Sequence, residues 1–141
     1  MKVIDVARRL EVTTDTVRFY TRIGILRPAR NKSTGYRQFS EKDCDRLRFV
    51  LSARRLGFSV ADVQQILAHA DKKESPCPTV RRLIEERLHE TEQRFIDSQQ
   101  LHTRMQQAIA EWSRKPDLVP TGDMICHLIE EFAESSTKED L

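Results

Sequence analysis

Thiols carry the sharpest chemistry in this chain of 141 residues, which has three cysteines: Cys44, Cys77 and Cys126. Cys77 and Cys126 stand at the two ends of a long helical pattern. Thiolates in such positions suit capture of a soft metal ion or reaction with an oxidant, which points to a sensor. The four histidines (His69, His89, His102 and His127) are spread over helix surfaces, with no nucleophile–base pair and no Gly-rich phosphate loop, so an enzyme is not expected. The sequence has no apolar run of about 18 residues and no signal-peptide pattern at MKVIDVARRL. The expected location is therefore the cytoplasm, without a membrane partner. Structural disulfides are rare in that compartment, which raises the weight of metal binding or redox sensing.

Something must position those thiols. Apolar residues make up 38% and charged residues 33% of the chain, with only four Gly and five Pro, a helix-rich composition. The net charge of +2 conceals an asymmetry. Residues 1–57 hold 14 Lys/Arg against 6 Asp/Glu (+8), and residues 58–141 hold 10 against 16 (−6). A basic head favours phosphate contact and an acidic remainder is repelled by it, so any nucleic acid meets the head.

In the head, Ile4, Val6, Ala7 and Leu10 share one face of a short helix. Glu11-Val12 forms a tight break, and Thr13 or Thr14 caps a second helix through Val17 and Tyr20. This is a helix-turn-helix pattern, a weak signal by itself. The stretch from Leu26 to Ser40 is non-helical and basic; NKSTG supplies a turn and GYRQF alternates like a strand, which predicts a two-stranded wing. Ser40 then caps a helix with Glu41 and Asp43 in its first turn and with Leu47, Val50 and Leu51 on its apolar stripe, ending at Gly57. Ser59 caps a fourth helix whose Val63, Ile66 and Leu67 face inward. The head is thus assigned to residues 1–70, and DKKESPCP (71–78) is a linker that Pro76 and Pro78 keep out of helix.

Beyond the linker, Ile84, Leu88, Thr91, Phe95, Ser98, His102, Met105, Ile109 and Trp112 recur at alternating spacings of 4 and 3. Over 79–112 this is a heptad seam about 50 Å long at 1.5 Å per residue. The head's helices are too short to cover it, which predicts pairing with a second copy. Residues 113–133 form a loop and a short helix with Met124, Ile125, Leu128, Ile129 and Phe132, and 134–141 are expected to be a disordered tail.

TTDTVRFYTRIGIL and GYRQFSEKDCDRLRFVLSARRLGFS together resemble the MerR family of bacterial transcription regulators. The likeness lies in that family's T-x-R-F/Y-Y-x-x-x-G-L recognition helix, G-Y/F-R-x-F/Y wing and R-x-L-G-F third-helix end. It is dense over residues 1–70, and the long helix fits in order and length. The resemblance implies a mainly α fold: a winged helix-turn-helix head, a long antiparallel coiled-coil dimerisation helix and a short C-terminal helix. It implies a homodimer on double-stranded promoter DNA that acts with RNA polymerase holoenzyme by kinking and untwisting an overlong spacer, a form of indirect readout. By the same resemblance Arg18 and Tyr20 of the recognition helix, Tyr36 and Arg37 of the wing, and Arg30 contact DNA. Asp15 occupies a base-facing position where relatives often carry a basic residue, leaving the sequence preference there open. Tyr36 and Phe39 have packing inside the wing as a competing role.

In the family's metal-responsive branch one cysteine precedes the long helix and others lie in the loop after it, and antiparallel pairing joins the two regions across subunits. Cys77 in SPCPTV matches the first position, and Cys126 in DMICHLIEEF matches the last loop cysteine. A Cys at the first position, where the copper(I) branch has Ser, points to a divalent or soft heavy ion. The other loop cysteine is missing, EWSRKPD stands in its place, and the loop is longer. His127, Asp123 or Asp117 would then complete a set; zinc accepts Cys, His and carboxylate, while mercury or copper(I) accepts two thiolates. Zinc, mercury, cadmium, lead and copper are not distinguished. Cys126 also has a competing role as a small apolar packing residue, and His127 as a surface residue. Cys44 fits no ligand position, and the four clustered cysteines of iron–sulfur relatives are absent. The expected function is an effector-responsive, metal-binding transcriptional activator. The alternatives are a thiol-based redox or electrophile sensor and a constitutive DNA-bending regulator.

Overall fold

The computed structural model describes residues 1–139, and those residues form six α-helices and one two-stranded antiparallel sheet. They divide into two compact units, Met1–His89 and a second that begins at Glu90.

The first unit opens with α1 (Val3–Leu10) and α2 (Thr14–Arg22). Helix α1 buries Val6 and Ala7 and is stopped by Glu11, which adopts the left-handed conformation (φ 56°). Thr13, one of two expected caps, is the one used: its Oγ1 accepts from the Thr16 N–H at 3.1 Å. Strands β1 (Ala29–Arg30) and β2 (Arg37–Gln38) make the expected wing. Asn31 builds its turn, its Oδ1 accepting from the N–H groups of Ser33 (2.8 Å) and Thr34 (3.3 Å). Gly35, at φ 73°, closes it.

Helices α3 (Glu41–Arg55) and α4 (Val60–Asp71) both start with reciprocal capping boxes, Ser40 with Asp43 and Ser59 with Asp62. One core joins the four helices and the residues that flank the wing. Val6, Val17, Leu26, Cys44, Leu47, Val50 and Val63 are almost wholly buried in it, and Leu83 from α5 (Cys77–Trp112) packs into the same cluster. Phe39, itself in the core, exchanges backbone hydrogen bonds with Met1, holding the end of the wing to the start of the chain.

The linker is shorter than expected. Helix α4 includes Asp71, and α5 already begins at Cys77, so Pro78 lies in its first turn. Proline is tolerated there because its missing N–H is one of those a helix start leaves unpaired. Lys73, left-handed at φ 58°, turns the chain between the two helices.

The second unit contains the remainder of α5 and helix α6 (His127–Glu139). The Trp112 indole donates to the Leu128 carbonyl at 3.1 Å and meets the Phe132 ring edge-on at 6.0 Å. Lys115 bridges Glu111 (3.2 Å) and Glu131 (2.6 Å). The expectation of a disordered tail from residue 134 is corrected as far as Glu139, because α6 continues through that segment. No Gly or Pro interrupts it, and its Glu, Ser, Thr and Lys residues are compatible with helix. Residues 140–141 of the expected tail lie outside the described residues.

Candidate nucleic-acid interface and cysteine positions

The exposed ridge of α2 carries Asp15, Arg18 and Arg22 at helical spacing. Arg18 Nη1 lies 3.5 Å from Asp15 Oδ1 and donates to Thr14 Oγ1 at 3.3 Å. Arg22 sits over the Phe19 ring, 5.6 Å from its centre. Tyr20 departs from the expected contact role: it is only 7% exposed and packs edge-on against Phe19 as part of the core. The reason is periodicity, since Tyr20 lies three residues after buried Val17 and on the same inner face.

In the wing, Arg30 pairs directly with Arg37 across the two strands. Directly opposed residues share one face of the ribbon, and like charges so placed are unfavourable without an anion to neutralise them. Tyr36, 68% exposed, projects from the wing, while Phe39 is buried. The two competing roles of these aromatics are thus divided: Phe39 packs and Tyr36 does not.

Both candidate thiols stand at helix starts, and all three cysteines are free thiols. Cys77 is exposed and is the first residue of α5, its N–H donating to Ser75 Oγ at 3.4 Å. Cys126, half-buried, immediately precedes α6. The Glu130 carboxylate accepts from the N–H groups of Cys126 (3.1 Å) and Ile125 (3.3 Å), fixing that turn. Cys44 is fully buried, and burial pushes its thiol above the ordinary range. It is therefore an inert core residue.

His127 is not the surface residue the sequence led us to expect. It is 7% exposed, its Nε2 lies 3.0 Å from the Pro116 carbonyl, and its Nδ1 lies 3.6 Å from Glu131. A carbonyl only accepts, so Nε2 carries the proton and is committed to that bond. Asp123 and Asp117 are exposed in the loop before α6. Among the described residues of one chain, no three Cys, His, Asp or Glu side chains gather as a metal-holding group. Cys77 belongs to the first unit and Cys126 to the second.

Sequence reading missed three polar joints. Asp43 holds the end of the α2 loop through the Arg27 N–H at 3.1 Å. Asp62 caps α4 and also pairs with Arg87 Nε of α5 at 3.1 Å. His69 at the end of α4 meets Glu74 at 3.0 Å through Nδ1 and Thr79 Oγ1 at 3.1 Å through Nε2. The S-x-x-D spacing signals the first two carboxylates as caps, but nothing in a linear sequence shows their second partners.

No helix among the described residues is long and apolar enough to cross a membrane. Helix-turn-helix, basic wing and long helix together define a DNA-binding regulator class. Residues 1–70 match the family described as MerR HTH family regulatory protein, and residues 44–108 match the one described as MerR, DNA binding. The HTH-type transcriptional regulator ZntR of Escherichia coli K12 is 31% identical over 103 residues, covering 72% of this chain and 73% of that protein. Heavy metal-dependent transcription regulator 2 of Rhizobium meliloti is 28% identical over 144 positions, covering 100% of this chain and 92% of its own. Among solved structures, the transcription regulator PbrR691 from Ralstonia metallidurans CH34, in complex with lead(II), superposes with a TM-score of 0.72 at 22% identity, covering 93% of this chain and 98% of that one. The chain belongs to the MerR family of transcriptional regulators, and it is not an enzyme.

Proposed function

We propose that this regulator binds promoter DNA as a homodimer and responds to a soft or divalent metal ion through Cys77 of one copy and Cys126 of the other. The observation that most supports the DNA half of this reading is the opposition of Arg30 and Arg37 in the wing. Two guanidiniums on one ribbon face are repulsive alone and favourable astride a phosphate. Arg18 on the exposed ridge of α2 and Tyr36 at the wing tip extend the same surface.

Support for the dimer comes from Leu88, Phe95, Met105 and Ile109, large apolar side chains of one heptad seam that are all more than half exposed in the single chain. Support for the metal comes from the donor set. Cys77 and Cys126 are free thiols with exposed or half-exposed surroundings, and the Nε2–H bond of His127 to the Pro116 carbonyl leaves Nδ1 as that ring's lone-pair donor. Two thiolates fit a soft ion such as mercury or copper(I) better than a four-donor zinc shell, with Asp123 the auxiliary donor for a harder ion. When bound, the ion supplies a cross-link between thiolates. This chain's own residues do the rest. Glu130 fixes the turn at Cys126, and the His69–Glu74 and His69–Thr79 contacts flank Cys77 and pin it to the end of α4 in the head. The bound state then favours the arrangement of heads that distorts the promoter for RNA polymerase holoenzyme, by as much as the ion's affinity differs between the two arrangements.

The test is in vitro transcription with a panel of metal ions, together with metal titration of the wild type, Cys77→Ser and Cys126→Ser. Either variant should still bind its operator and lose metal-dependent activation. Normal metal induction in either variant would rule out the two-thiol site. A response of the wild type to oxidant or electrophile alone would transfer the reading to a thiol redox sensor. Equal transcription with and without any effector would leave a constitutive DNA bender.

A further inference from the structure

A carboxylate on the outer ridge of a DNA-reading helix is electrostatically out of place. Asp15 is 93% exposed, in the first turn of α2, within a half of the chain that carries +8. Its proximity to phosphates costs affinity, and it performs no capping, since Thr13 fills that role. Among the described residues its ion-pair partner is Arg18, 3.5 Å away and itself 58% exposed. An exposed pair of this kind is worth little to stability, and the helix dipole favours an acid anywhere in the first turn without requiring one on the outer ridge.

The pair does have the geometry of a base reader. It sets a donor, Arg18 Nη1, beside an acceptor, Asp15 Oδ1. The major-groove edge of a G·C pair sets the acceptors O6 and N7 of guanine beside the N4 donor of cytosine. Arginine donates to guanine and aspartate accepts from cytosine, so the two side chains match one G·C pair in complementary order. An A·T pair offers Arg18 a single N7 and places adenine's N6 donor against the guanidinium; a C·G pair reverses the order. Arg22 is drawn away from this edge by its seat on Phe19.

We infer that Asp15 and Arg18 act together as a specificity element that selects a G·C pair in each operator half-site, with Asp15 accepting from cytosine N4 and Arg18 donating to guanine. This rests on the proposed docking of α2 into the major groove. The experiment offers the full-length wild type, Asp15→Ala and Asp15→Asn a pool of DNA duplexes randomised over the half-site, followed by binding measurements on single-base-pair variants of the selected sequence. The wild type should prefer G·C at one position by about tenfold to a hundredfold. Asp15→Ala should relax that one position and no other. Asp15→Asn should move its preference toward A·T, because an amide both accepts from adenine N6 and donates to N7. A merely structural role for Asp15 would weaken binding at all sequences alike. If all three proteins bind and select the same base at every position, the specificity element is refuted while DNA binding stands. If none selects any sequence from the pool, the docking itself has failed.

Discussion

Arg30 and Arg37 face each other across a sheet only two residues long per strand, and in the proposed docking that pair would grip phosphate while Arg18 reads bases. Arg37→Ala should weaken binding to all sequences alike by roughly 1–3 kcal/mol and lower the salt slope by about one, whereas Arg18→Ala should cost a similar amount and also blur sequence preference. Fluorescence anisotropy at several salt concentrations checks both, and undiminished affinity in both variants would exclude this face. The cysteines divide in the same manner. Cys44→Ser should leave induction intact yet lower stability by about 1–3 kcal/mol, because it buries a hydroxyl in an apolar core. Denaturant melts of the three serine variants would show that loss only for Cys44→Ser. Arg18, Arg30 and Tyr36, as outward-facing side chains, were legible from motif spacing. Tyr20 and His127 were not, since burial of an aromatic depends on tertiary neighbours: Phe19 and the core for one, the Pro116 carbonyl for the other.

Helix ends were the easiest elements to read and their joints the hardest. Ser40 and Ser59 announce their helices by type and spacing, and both capping boxes form. The start of α5 was misplaced because proline was taken only as a breaker, although a first helical turn accepts it. Two joints make predictions. Asp62 both caps α4 and holds Arg87, so Asp62→Ala should destabilise the head by about 3 kcal/mol, the scale for breaking a largely buried pair. Thermal melts should show a far smaller effect for Glu86→Ala, which removes an exposed carboxylate near the same arginine. Asp71 is held below the usual carboxylate range chiefly by its hydrogen bonds to Arg46 (2.8 Å), with Arg27 adding charge. A lowered folded value means the stabilisation is present above the unfolded value of about 3.9 and is lost as pH falls through the folded one. Wild-type stability should therefore drop more steeply below about pH 4 than that of Arg46→Ala. Parallel acid titrations of the two would overturn this assignment.

At the scale of the whole chain, the +8 and −6 halves correspond to a head that carries the α2 and wing arginines proposed to face DNA and a remainder that carries none of them. That division, and the order of helices, could be read from periodicity and charge alone. What covers the seam was read less directly, because a heptad pattern gives only the face to be buried, and the shortness of the head's helices is what points to a second copy. Leu88→Asp or Phe95→Asp should place a charge in a desolvated helix pair and yield monomers at micromolar concentration, at a cost of several kcal/mol. Sedimentation of both variants as dimers would mean that the seam lies on another face of α5. Monomers should also lose most operator affinity, since two half-sites are then no longer held by one molecule.

Trp112 is the sole tryptophan of the chain, and its indole is tied to the turn that Cys126 begins. Its emission is thus a built-in optical gauge of that joint, needing no dye. Any event at Cys126 that shifts α6 by a fraction of an ångström stretches the Trp112–Leu128 hydrogen bond and changes the indole's surroundings. Intensity and wavelength should respond on adding the effector to the wild type and stay flat in Cys126→Ser, so a cuvette titration with each candidate ion would show which of them act at this joint and how tightly.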